Sequence, residues 1–97
     1  MPTTETGVSS ATAAGEFDVS LENGESVEVW TYPRLGKGEQ VVAFSIDSGD
    51  TVESEVFEDG QLLEIDRTNS RMKVNGPGNF RFKKTATAAA TAVYYEV

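Results

Sequence analysis

From residue 16 onward, apolar and polar positions alternate with a period of two. Phe17, Val19 and Leu21 alternate with Asp18 and Ser20, the pattern of a half-buried strand. Asn23-Gly24 follows, a dipeptide that favours hairpins because both positions tolerate positive φ. The spacing predicts a strand over 26–32, with Val27 and Val29 on one face and Trp30 and Tyr32 on the other. Either a bulge re-aims the chain there or two aromatics are left outward. Pro33 ends central-type pairing, and Arg34-Leu35-Gly36-Lys37-Gly38 reads as a loop. Residues 40–47 form the most apolar strand, with Val42, Phe44 and Ile46 on one face and Val41 and Ala43 on the other. Ser48-Gly49-Asp50 turns the chain into a strand over 51–57, which sets Val52 and Val56 against Glu53 and Glu55.

Glu58-Asp59-Gly60 signals a second hairpin turn. Short strands are predicted over 62–66 and 71–75, around Arg67-Thr68-Asn69-Ser70. Gly76-Pro77-Gly78 is a tight turn into a strand over 79–84, with Phe80 and Phe82 inward and Arg81 and Lys83 outward. Residues 85–92, TATAAATA, mix helix-favouring alanines with β-branched threonines and carry no large apolar anchor. They read as an irregular segment or a small-residue strand lying against another surface. Residues 93–97, VYYEV, form a final strand. About eight short strands, with turn signals roughly every 8–12 residues and no amphipathic helix, predict an all-β fold: a small antiparallel β-sandwich or barrel. Residues 16–97 are expected to be its single domain. Residues 1–15, MPTTETGVSSATAAG, hold little that can be buried and are expected to be a flexible N-terminal arm.

Composition narrows the chemistry. A chain of 97 residues supports one modest core. It has no Cys and no His, which excludes disulfides, thiolate and imidazole metal sites, Cys nucleophiles and Ser-His-Asp triads. No apolar run approaches the ~18–20 residues that span a membrane. The first residues lack the basic and apolar regions of a secretory signal, so the chain reads as a small product of a cytoplasm. Most enzyme chemistries are therefore out of reach, and no cofactor or metal is expected.

Charge then says what the protein avoids. The net charge is −8, the wrong sign for nucleic acid and for anionic membranes. It is unevenly placed. Residues 1–60 hold 13 acids against Arg34 and Lys37, and residues 61–97 hold Glu64, Asp66 and Glu96 against six bases. If Gly76-Pro77-Gly78 closes a hairpin, Arg71, Lys73, Arg81 and Lys83 lie on one ribbon face. That face is either simply solvated or a dock for an acidic protein surface.

Other constellations have plainer readings. Asp47 and Asp50, like Glu58 and Asp59, sit where turns favour Asp and Gly. A glycosidase cleft or a calcium loop would need more than these positions supply. Without His, a Ser or Thr nucleophile would need a Lys base, and no S-x-x-K is present. Neither Gly36-Lys37-Gly38 nor the Gly-Pro-Gly turn is a phosphate loop. Trp30, Tyr32, Tyr94 and Tyr95 could form a sugar platform, although aromatics at this spacing more often serve a core or an interface.

The run GPGNFRFKKTATAAATAVYYEV, residues 76–97, resembles the ends of small virion proteins of tailed bacteriophages: a Gly-Pro-Gly turn, an aromatic and basic strand, a Thr/Ala stretch and a last apolar strand. The strands containing Glu28-Val29 and Gly38-Glu39-Gln40-Val41 are compatible with the same compact β proteins. The resemblance implies a structural protein of the capsid, of the head-decoration or cement type, or else a spike or fibre component. It implies no catalytic residues. A decoration protein would act on the outer surface of the virion, with the major capsid protein as partner, after synthesis in the host cytoplasm. A surface-attached sugar-binding β-sandwich is the alternative. The end VYYEV would be an exposed edge in a monomer. It is therefore expected to be covered by the shell or by a symmetry mate in a dimer or trimer. Candidate partner-binding residues are Arg71, Lys73, Arg81, Lys83, Tyr94, Tyr95 and Val97.

Overall fold

The period-two alternation becomes paired strands, and the longer strands give their apolar sets to the space between two sheets. The computed structural model describes residues 4–47, 49 and 51–97. Among these residues the strands are β1 (Glu5–Ala11), β2 (Gly15–Leu21), β3 (Ser26–Tyr32), β4 (Val41–Ile46), β5 (Glu53–Glu55), β6 (Phe57–Glu58), β7 (Gln61–Leu62), β8 (Glu64–Ile65), β9 (Arg71–Asn75), β10 (Gly78–Lys84) and β11 (Thr91–Glu96). The first sheet runs β1-β11-β3-β9. The second runs β2-β10-β4-β5, with β8 also on β4. A small β6-β7 ribbon stands apart from both. The pairings are antiparallel. This is the expected all-β sandwich, with short strands subdividing the segment from 53 to 65.

The core lies between the sheets. Val27 and Val29 of β3, Met72 and Val74 of β9 and Val93 of β11 meet Val19, Leu21, Phe80, Phe82, Val41, Ala43 and Ile65 from the second sheet. Phe82 is fully buried, which contributes about 1.5–3 kcal/mol. On β4 the inward face is Val41 and Ala43, while Phe44 and Ile46 lie half-buried on the outside. Leu35, from the loop after Pro33, plugs into the same core.

Three expectations need correction. The first concerns the turns. Asn23-Gly24 and Gly76-Pro77-Gly78 do not close hairpins: β2 and β3 belong to different sheets, as do β9 and β10. Both turns are corners that carry the chain from one sheet to the other. They are joined by a hydrogen bond from Gly76 N–H to the Glu25 carbonyl, 2.8 Å. Gly76 has no room for a side chain, since a Cβ would lie 2.6 Å from that of Leu21. The Asp59-Gly60 hairpin does form, with both residues at positive φ (52° and 78°) and Glu58 paired to Gln61.

The second concerns the arm. Residues 1–3 lie outside the described residues, but residues 5–11 are not a loose tail. They form β1, paired to β11 through Glu5–Tyr95, Thr6–Tyr94, Val8–Val93 and Ala11–Thr91. The partner lies 80 to 90 residues away, so nothing local announces it. Gly7 matters here, because a Cβ at that position would lie 2.5 Å from the Phe17 ring. Its missing side chain lets β1 settle over β2.

The third follows from the second. β11 is not an exposed edge, because β1 flanks it on one side and β3 on the other. The cover expected from a symmetry mate is supplied by the chain itself. Residues 85–90 are irregular, as expected, and pack on the corner after β1 through Thr87 N–H to the Thr12 carbonyl, 2.8 Å.

Two outcomes follow. A chain lacking residues 1–11 should lose a large share of the ~5–15 kcal/mol that holds a domain of this size, and should aggregate through the bared edge of β11. Denaturant titration and light scattering measure both effects. Thr31 continues the Val27-Val29 stripe, and its buried Oγ1 has no hydrogen-bond partner. Thr31→Val should therefore raise stability by about 1 kcal/mol in the same titration.

Candidate functional site

The seven candidate residues divide among three places. Arg81 and Lys83 point outward from β10 in the second sheet. Arg71 and Lys73 point outward from β9 in the first, on the opposite side of the molecule. The expected ribbon of four cations therefore does not exist, because the turn at 76–78 is a corner and not a hairpin. Tyr95 faces inward and stacks on Phe17 at 5.0 Å between centroids, while Phe17 stacks on Phe82 at 5.1 Å. Tyr94 faces outward with Arg71 and Lys73, and Val97 follows β11, half exposed.

On the second sheet the cations are enclosed by acids. Cross-strand neighbours Asp18, Arg81 and Phe44 share one row, and Glu16, Lys83 and Val42 the next. Arg81 grips Asp18 with two hydrogen bonds, Nε to Oδ1 at 2.7 Å and an Nη to Oδ2 at 2.9 Å. It also donates to Glu53 at 2.9 Å. Lys83 donates to the other Glu53 oxygen at 2.7 Å and lies over the Phe44 ring. The Arg81 fork holds the Asp18 carboxyl below its ordinary range, and Lys83 with Arg81 does the same for Glu53. This face is an ion-pair lattice over an apolar floor, and its cations are already engaged.

On the first sheet a different row crosses four strands: Thr6, Tyr94, Trp30 and Arg71. Trp30 and Tyr94 are tilted ring neighbours at 6.2 Å, and the Arg71 guanidinium lies 4.8 Å over the Trp30 ring while pairing with Glu28. Tyr32, next along β3, is 73% exposed and is the most exposed large apolar side chain described. No bulge re-aims β3, so the aromatics are outward. Arg71 occupies a face of Trp30 that a stacked sugar would use, which weighs against the sugar platform.

Asp47, Glu39 and Asp66 serve their loops. Asp47 accepts hydrogen bonds from Thr51 Oγ1, Thr51 N–H and Val52 N–H, and these lower its pKa. Ser48 and Asp50 lie outside the described residues, and among those described no three acids converge on a metal position. A hollow of about 260 Å³ lies between residues 37–40 and 66–68. Its Glu39 is held by the N–H groups of Ala88 and Gly36, and its Asp66 by those of Asn69 and Thr68. Both carboxyls are shifted downward, chiefly by the N–H groups of Ala88 and Asn69 respectively. Lys84, 3% exposed, was not anticipated from sequence. It donates to the Ala11 and Ala13 carbonyls at 3.1 and 2.7 Å, and burial lowers its pKa. The one available signal was that Lys84 shares the parity of Phe80 and Phe82.

The fold thus defines a small two-sheet antiparallel sandwich with an ion-pair lattice on one outer face and an aromatic row on the other. No protein-family model and no curated protein matches the sequence. Among solved structures it is similar to SPBc2 prophage-derived protein YomS, with a TM-score of 0.73 over 100% of this chain and 92% of that one, at 15% identity. At that identity the shared property is the architecture.

The lattice has a pH signature. A carboxyl whose native pKa is depressed contributes stability that is complete above its ordinary value and is lost as pH falls through the native value. The melting temperature should therefore be level down to about pH 5 and fall below about pH 4. Arg81→Gln should make that acid slope shallower, because Asp18 and Glu53 lose the partner that depresses them. An identical slope in the variant, read by thermal melts across pH, would detach the lattice from acid stability.

Proposed function

We propose that this chain is a non-enzymatic structural protein of a bacteriophage particle, and specifically that it decorates and reinforces the capsid from outside. The observation that carries the phage assignment is the whole-length likeness of its fold to a prophage-derived protein. It agrees with the resemblance of residues 76–97 to phage virion proteins. The finer assignment rests on physical suitability. A net charge of −8 suits a protein that stays clear of packaged DNA. A sandwich that commits Asp18 and Glu53 to ion pairs and Glu39, Asp47 and Asp66 to loops is a rigid body suited to adhesion.

The docking face in this reading is the outer side of the first sheet. It offers Tyr32, Trp30, Tyr94 and Arg71, the residue types that dominate binding energy at protein interfaces. Lys73, outward on β9, lies at its margin. Arg81 and Lys83 are withdrawn from this role because the acids around them satisfy them.

The test uses empty and filled particles of the phage or prophage that carries the gene. Wild-type protein should sediment with them, and electron microscopy should show it at regular outer sites. Tyr32→Ala should weaken attachment about tenfold while leaving the melting temperature unchanged, because that side chain is largely in solvent. Undiminished attachment by the variant would move the dock to another face. Failure of the wild type to bind any particle would overturn the decoration role.

A further inference from the structure

We propose that copies of this chain associate head to tail, the β9 edge of one copy adding to the β2 edge of the next. The two edges lie on opposite flanks of the sandwich: β2 ends the second sheet on the side where β1 packs, and β9 ends the first sheet on the far side, beside β8. Both are regular. β2 keeps an unbroken register with β10 from Gly15 to Leu21, and β9 keeps one with β3 from Arg71 to Asn75. The other edges are poor templates. β1 shifts register twice, a common device for blunting an edge, and β5 is three exposed residues long.

Charge selects which edges meet. The outward side chains of β2 include Glu16 and Asp18, each paired on its inner side with Arg81 yet about half exposed, and those of β9 include Lys73 and Arg71, the latter paired with Glu28 yet more than half exposed. Lys73 has no ion-pair partner among the described residues. Two β2 edges brought together would oppose carboxylates, and two β9 edges would oppose cations, so both symmetric dimers are repelled. The β9–β2 contact is attractive. An antiparallel register that sets Arg71 opposite Asp18 and Lys73 opposite Glu16 also sets Met72 opposite Phe17. The polar set then stays outward and the apolar set stays over the core. Because the edges sit on opposite flanks, each copy keeps one of each free, and the contact closes into a ring or continues as a filament. The occupant is a second copy of this chain, and the contact draws on Arg71 and Lys73 while leaving Tyr32 and Tyr94 uncovered.

Sedimentation velocity on the purified chain, across concentration and at low and high salt, tests this. Wild type should form species larger than a dimer, weakened by salt. Lys73→Glu and Glu16→Lys should each weaken association about tenfold or more, with melting curves confirming that both fold. Two mixtures of charge should restore it: the chain carrying both substitutions, and an equimolar mixture of the two single variants. Either of two results would overturn the proposal. One is a wild type that stays monomeric when concentrated in low salt; the other is association that survives both single substitutions or is not restored by the swap.

Discussion

Three stacked rings hold the two sheets in place: Phe82 on β10, Phe17 on β2 and Tyr95 on β11, with centroid spacings of 5.1 and 5.0 Å. Phe17 is the central ring, and it also sets the limit on β1, which passes over it at Gly7. Offset stacking adds about 0.5–1.5 kcal/mol per ring pair beyond the area it buries. The larger effect is positional. Once Tyr95 is fixed inward, Tyr94 must face outward, and the row of Tyr94, Trp30 and Arg71 follows from strand parity. The outer aromatic row is thus fixed from the inside of the molecule.

The same parity explains what could be read from the sequence. Alternation at Phe17-Val19-Leu21, Val27-Val29 and Phe80-Phe82 marked the buried faces, and Asp59-Gly60 marked its hairpin. Asn23-Gly24 and Gly76-Pro77-Gly78 were misread because a tight turn reverses direction without saying whether the next strand pairs with the last or crosses over it. Only the crossing separates Arg71 and Lys73 from Arg81 and Lys83. Residues 5–11 were opaque for a different reason. Thr6, Ser9 and Ser10 bury little, and the strand is held by backbone pairing to β11 and by the space beside Gly7. A low apolar content predicts disorder only when no long-range edge is waiting. Six of the seven candidate residues stand out by charge or aromaticity, and Val97 by its place in the last strand; these report chemistry but not side, and the fold assigned the sides.

Charge has two separate uses here. On the second sheet, Arg81 and Lys83 offset Asp18 and Glu53 over half-buried Phe44, so a face with apolar side chains under it presents ionic groups to water. At the flanks the charges are segregated, acids on β2 and bases on β9. The uneven distribution along the sequence, acidic before residue 60 and basic after it, becomes a lateral polarity because those two strands end different sheets. A bland composition thereby yields directional character.

The pairing of β1 with β11 has a kinetic corollary. It joins segments at opposite extremes of the described chain, so the first sheet cannot be completed until residues 91–96 are present to receive residues 5–11. Closing so long a loop is entropically costly and comes late in assembly. During synthesis the first sheet would stay open until residues 91–96 had emerged.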